Sequence, residues 1–156
     1  RAVVAFVALP GIVAFAVPAY LIWSDTGRVS VDLAGLLPLV AGLCLLLWCV
    51  RAFFVSGQGT LAPWDPPKQL VATGPYLWSR NPMYVAELAL WLGWVILYGS
   101  IPIFVVLVMA PLGLNRMVAR EERDLEARFG ESYLEYKKQV PRWFGIVTDR
   151  KIKRRI

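Results

Sequence analysis

Residues 2–23 carry no charge at all. As an α-helix, such a run is about 33 Å long and matches the hydrocarbon thickness of a bilayer. No feature of the chain narrows its fold more. Inside lipid every backbone N–H and C=O must find a partner within the protein, which leaves only helices and closed barrels. The run is longer than the roughly 7–15 apolar residues of a signal peptide, and Trp23 ends it like an interfacial anchor. It therefore reads as a membrane span, bent but not ended by Pro10 and Pro18.

A second apolar run covers residues 33–55 and tolerates one charge, Arg51. The stretch from Tyr84 to Val118 is apolar again, but as one helix it would be about 52 Å long, too much for a single crossing. Gly99, Ser100 and Pro102 supply the break. The reading is a helical hairpin with arms at 84–98 and 102–118, each short for a full span, with partial penetration of the bilayer as the alternative. The expectation is thus an all-α fold: a polytopic bundle of about four transmembrane helices forming a single domain over 1–156, with a loop at 56–83 and a helix and tail at 119–156. With 58% hydrophobic residues against 18% charged ones, an ordinary soluble domain is excluded.

Charge placement orients the bundle. All of the 17 lysines and arginines except Arg28 fall at the N-terminus, around the link between spans two and three, or around and beyond the end of span four. The positive-inside rule places these regions in the cytoplasm, so the chain reads as a multi-pass integral membrane protein with both termini cytoplasmic. Topology and attraction to anionic headgroups account for the net charge of +6, and nucleic acid is not an expected partner. The chain has no histidine, which excludes His-ligated metals and Ser-His or Cys-His catalysis, and no metal is expected. Cys44 and Cys49 read as small apolar side chains within the second span.

Chemistry is left to the two cytoplasmic segments and the ends of the hairpin. The 56–83 loop is broken by glycine and proline throughout, and a loop of that length in so small a protein is usually functional. Its Gly57-Gln58-Gly59 lacks the third glycine and the helix of a dinucleotide fingerprint and reads as a turn. Past residue 119, Leu125, Phe129, Tyr133 and Tyr136 recur at helical spacing, a stripe suited to packing on that loop, and Gly130 marks a bend. Glu87 stands one turn into the third span, where a carboxylate is costly without a polar cavity or a partner. Arg80, seven residues earlier, is within two turns of it. Asn115, Arg116, Arg120, Glu121 and Glu122 form a polar collar facing Arg80, Asn81 and Tyr84, able to hold a charged ligand while the space between helices admits a lipophilic one.

The ordered set Leu70-Val71, Gly74-Pro75-Tyr76, Arg80-Asn81-Pro82-Met83-Tyr84, then Glu121-Glu122, the segment from Phe129 to Lys138, and Val140-Pro141 resembles the isoprenylcysteine carboxyl methyltransferase and phospholipid methyltransferase superfamily. The resemblance implies a membrane enzyme that uses S-adenosylmethionine, yields S-adenosylhomocysteine, and binds the cofactor at the cytoplasmic face without a Rossmann domain. Carried over by motif, the cofactor contacts are Lys68, Gln69, Leu70, Val71, Tyr76, Asn81, Pro82, Met83, Tyr84 and Glu121. Relatives place an acceptor-binding arginine shortly before the paired glutamates. Here that position is Met117, with Arg116 beside it and Arg120 one turn on, so these two arginines and Glu87 are the candidates for work on the acceptor. Asn81 replaces the histidine of the eukaryotic prenylcysteine enzymes, keeping a hydrogen-bonding side chain that cannot titrate. The implied function is methyl transfer to a lipophilic acceptor that reaches the site from the bilayer. Phospholipid N-methylation is the alternative enzyme, and a non-catalytic membrane scaffold the alternative of another class.

Overall fold

The computed structural model describes residues 7–25, 31–57 and 68–144, with side chains from Pro10 onward. Expectations for the Gly57-Gln58-Gly59 turn beyond Gly57, for the prolines at 63, 66 and 67, and for the basic tail from Lys151 lie outside the described residues. A wide, π-helical stretch, Val7–Ala16, carries Pro10 and runs into α1 (Val17–Ser24). A single 3-10 turn, Leu33–Gly35, opens onto α2 (Leu36–Gly57). Another, Gly74–Leu77, punctuates the loop before α3 (Pro82–Tyr98), α4 (Ile101–Phe129) and α5 (Glu131–Gln139). The described residues contain no strand.

Two helical segments, Leu33–Gly57 and Ile101–Phe129, are long and apolar enough to cross a membrane, while Pro10–Ser24 and Pro82–Tyr98 are shorter apolar helices. The expected hairpin is present. Gly99 caps α3 at φ 62°, a left-handed conformation that costs glycine nothing, and Pro102 starts α4 where its missing N–H is not needed. One boundary differs from expectation, and the helix expected past 119 extends the fourth span, as its spacing suggests. The third helix begins at Pro82, because proline at a first-turn position favours an early start. The fourth continues without a break to Phe129, since its polar half keeps good helix formers until Gly130 turns the chain at φ 54°.

The main seam joins α2 to α3, and it is made of backbone. A Cβ added to Gly42 would stand 2.8 Å from the Ala86 carbonyl oxygen, and one added to Gly93 would stand 2.7 Å from Leu39 N. Small residues let helices touch this closely where lipid supplies no hydrophobic drive to pack them. Leu46, Ala86, Leu90 and Ala14 fill the centre of this seam. Trp94 Nε1 donates to the Ala14 carbonyl at 2.9 Å and holds the first helix onto α3. At the Gly99 end, Ser100 Oγ donates to Asp25 Oδ2 at 2.7 Å. At the opposite end the aromatic stripe behaves as expected: Tyr133 and Tyr136 pack with Val140, Leu70 and Leu125. The packing fixes α5 against the loop.

Candidate functional site

The site lies at the loop end of the hairpin, where the two halves of the sequence motif meet. Tyr84, in the first turn of α3, donates its hydroxyl to Glu121 Oε1 on α4 at 2.6 Å. Thirty-seven residues separate them in sequence. They meet because the Gly99 turn makes α3 and α4 antiparallel neighbours, so the start of one stands beside the far half of the other.

Tyr76 stands behind this pair. Its ring packs with Val71, Cys49, Ala52 and Met83, and its carbonyl accepts the Tyr136 hydroxyl at 2.6 Å. Burial, reinforced by neighbouring Cys49, Tyr136, Tyr84 and Glu121, pushes the Tyr76 phenol far above its ordinary value, so it stays a neutral hydrogen-bonding group. Burial does the same to Tyr136.

The second glutamate has different work. Glu122 is buried and takes two cations: Arg80 Nη1 at 3.0 Å, and Arg142 through Nε at 3.0 Å and Nη2 at 2.7 Å. Burial alone would raise its carboxyl pKa, but the Arg142 hydrogen bonds and the charges of Arg80 and Arg142 outweigh it and hold the group below its ordinary value. Around this ion triad the segment after α5 is tied down through its backbone. The Arg80 N–H donates to the Pro141 carbonyl at 2.9 Å, and the Arg142 carbonyl accepts from Asn81 Nδ2 at 3.0 Å and Ser79 Oγ at 3.2 Å. The strap thereby delivers Trp143, whose Nε1 donates to Asn115 Oδ1 at 3.2 Å.

Trp143 and Asn115 edge an apolar cavity of about 530 Å³ between α3 and α4, walled by Val85, Leu88 and Leu92 on one side and Leu107, Pro111 and Leu114 on the other. It is open on one side and its lining is almost wholly apolar. The α4 face that lines it continues through buried Val118 to Glu122, at helical steps of three or four residues.

Of the residues singled out from sequence, Tyr76, Tyr84 and Glu121 come together, with Val71 and Met83 packed behind them. Pro82 is the buried first residue of α3. Lys68 and Gln69 place their N–H groups on the Gly57 carbonyl, at 2.8 and 3.3 Å, and Leu70 turns toward Tyr133 and Tyr136. Asn81 spends its side-chain N–H on the strap. Arg80 pairs with Glu122, so the possible partnership with Glu87 is replaced: α3 starts only at Pro82, and Arg80, ahead of it, reaches the glutamate on α4 instead. Glu87 sits one turn past Tyr84, half-buried, and is not part of the cavity wall, which is built from the 85, 88, 89 and 92 side of α3. Arg116 and Arg120 are exposed, and the structure does not bring them to the Tyr84–Glu121 pair. They follow Leu112 at four-residue steps, along the outward side of α4. Sequence reasoning missed Arg142, Trp143 and Ser79; the only signal was the place of the first two directly after Val140-Pro141 and of Ser79 directly before Arg80-Asn81.

Comparison with known proteins gives the chain's family. Residues 31–132 match the family model described as phospholipid methyltransferase. The human protein-S-isoprenylcysteine O-methyltransferase is 30% identical over a region covering 83% of this chain and 47% of the relative. The nickel-cobalt-cadmium resistance protein NccN of Alcaligenes xylosoxydans xylosoxydans is 27% identical, covering 78% of this chain and 52% of the relative. An uncharacterized protein of Haemophilus influenzae is 36% identical over 39% of this chain and 98% of its own length. The chain thus spans about half the length of the first two relatives. No solved structure matches it.

Proposed function

The chain belongs to the phospholipid methyltransferase family, and from that premise we propose that it is a membrane methyltransferase that uses S-adenosylmethionine to methylate a lipophilic acceptor of the isoprenylcysteine type. In this reading one domain crosses the bilayer four times, and both termini, the loop and α5 lie in the cytoplasm. The observation that carries it is the Tyr84–Glu121 contact, which closes the two distant motif halves around one point beside an apolar cavity.

The residues fit an adenosyl sulfonium. Glu121 is exposed on one side and can accept from ribose hydroxyls or an amino group, and the Tyr84 hydroxyl fixes how it points. Tyr76, Val71 and Met83 back this pair with a packed aromatic and apolar layer. Lys68, Gln69, Leu70, Pro82 and Asn81 complete the site as its rim and backbone. When bound, the cofactor supplies an already activated methyl group, so the protein has to align and to exclude water more than to move protons. The apolar walls between α3 and α4 exclude water and line up the acceptor. Glu87, off the cavity wall, keeps at most an indirect part through its neighbour Tyr84 one turn away, and Arg116 and Arg120 meet anionic headgroups.

The cavity supports a lipophilic acceptor. Its almost wholly apolar walls, running along two neighbouring helices, suit a lipid chain. Phospholipid N-methylation keeps its place as the second reading on the family's name alone, and it also needs a base to take a proton from an ammonium. A passive scaffold leaves the Tyr84–Glu121 pair without a purpose.

The test is transfer of labelled methyl from S-adenosylmethionine by the chain in phosphatidylcholine nanodiscs, with farnesylcysteine and phosphatidylethanolamine supplied separately. Label in the farnesyl product supports the reading. Label confined to phosphatidylethanolamine establishes the second one, and none in either, with no cofactor binding, removes both.

A further inference from the structure

The ion triad and the strap it holds lie outside the cofactor contacts, yet they decide what stands at the end of the cavity. Glu122 is buried between Arg80 and Arg142, with the Glu122 and Arg80 side chains only 6% and 9% exposed. A carboxylate so enclosed is tolerated because two guanidiniums answer it, and that demand fixes Arg142 in place. From Arg142 the constraint passes to the next residue. The Arg142 carbonyl is held twice, by Asn81 and Ser79, so the backbone leading into Trp143 has little freedom. Trp143 then puts its indole edge on Asn115 and its ring against the cavity.

We propose that Glu122 and Arg142 are positioning residues for the acceptor: they clasp the 141–144 strap so that Trp143 forms the end wall of the apolar cavity between α3 and α4. The adjacent glutamates then divide the labour, Glu121 facing the cofactor and Glu122 acting on the acceptor through the strap. This rests on the proposed function for the identity of the acceptor, but the clasp itself is a matter of geometry.

The informative variant is Arg142→Ala. Arg80 still answers the buried Glu122 charge, so the fold persists while the strap loses its side-chain anchor. Arg142→Lys keeps a cation there and serves as the conservative rescue, and Trp143→Ala removes the wall directly. In phosphatidylcholine nanodiscs, each protein is titrated with farnesylcysteine bearing a diazirine on its chain, photolysed, and the labelled residues are mapped by mass spectrometry. S-adenosylhomocysteine affinity is measured separately by calorimetry.

The wild type is expected to be labelled along the cavity walls. Arg142→Ala and Trp143→Ala should each raise half-saturation about tenfold, the scale of losing one apolar contact in a pocket, while cofactor-product affinity stays within about twofold. Arg142→Lys should recover most of the loss. Unlabelled cavity walls in the wild type, unchanged half-saturation in both variants, or a parallel loss of acceptor and cofactor-product binding overturns the proposal. A wild type that shows this labelling pattern but binds no S-adenosylhomocysteine keeps the clasp and refutes the methyltransferase reading, so the two failures are distinct.

Discussion

The α2–α3 seam and the polar cap, which ties α3 and the loop to α4 and α5, hold helices together by opposite means. In the seam the contact is backbone against backbone, with Gly35, Gly42 and Gly93 leaving no room for a methyl group. In the cap it is named polar pairs: Tyr84 with Glu121, Arg80 and Arg142 with Glu122, and Tyr136 with the Tyr76 carbonyl. The difference follows from solvent. Lipid tails compete with apolar side chains on equal terms, so only close fit distinguishes helix from lipid, whereas near water polar partners can be specific without burying an unpaired group. Chemistry is therefore to be sought in the cap, and stability against gross rearrangement in the seam.

Substitutions separate the two. Gly42→Val forces a branched side chain into a space where even Cβ stands 2.8 Å from the Ala86 oxygen, and should abolish recovery of folded, monodisperse protein in detergent. Survival with an unchanged melting temperature contradicts the seam. Acid comes next and acts on the cap, since the seam has no carboxylate of its own. The folded-state pKa of Glu122 is below its unfolded value, so its contribution to stability is present in full above the ordinary carboxylate range and is lost as pH falls through the folded value. A melting profile of the wild type should drop in that acid window, and Glu122→Gln should flatten this part of the drop. Tyr84→Phe removes one charge-assisted hydrogen bond at an exposed pair, and calorimetry should show S-adenosylhomocysteine binding weaker by about three- to tenfold. The smallest effect belongs to Gly113→Ala. Nothing lies within 4 Å of its Cβ position, so alanine should be neutral or raise stability by up to about 1 kcal/mol through helix propensity. A large loss there shows that the α4 face is covered.

The sequence reveals these regions unequally. The hairpin is plain because Gly99 and Pro102 act locally, and the Leu125–Tyr136 stripe because helical spacing is a local pattern. The seam is less so: Gly35, Gly42 and Gly93 are ordinary in apolar runs until their partners are known. The cap divides further. Tyr84 and Glu121 stand out only through family resemblance, since no local rule brings residues 37 positions apart together. Glu121 and Glu122 look equivalent in sequence, and only helix phase sends one to Tyr84 and the other inward to Arg80. Asn81 and Arg142 meet through a main-chain carbonyl, a contact that leaves no trace in residue type. The same phase turns Arg116 and Arg120 outward, although their place in the chain suggested an acceptor role.

The central claim is that Glu121 faces the cofactor, and calorimetry of S-adenosylhomocysteine binding to the wild type and to Glu121→Ala tests it most directly. The wild type should bind, and loss of a charged hydrogen-bond acceptor should weaken binding by about 10- to 100-fold with the melting temperature nearly unchanged. Equal affinity in the two proteins, or no binding by a folded wild type, contradicts it.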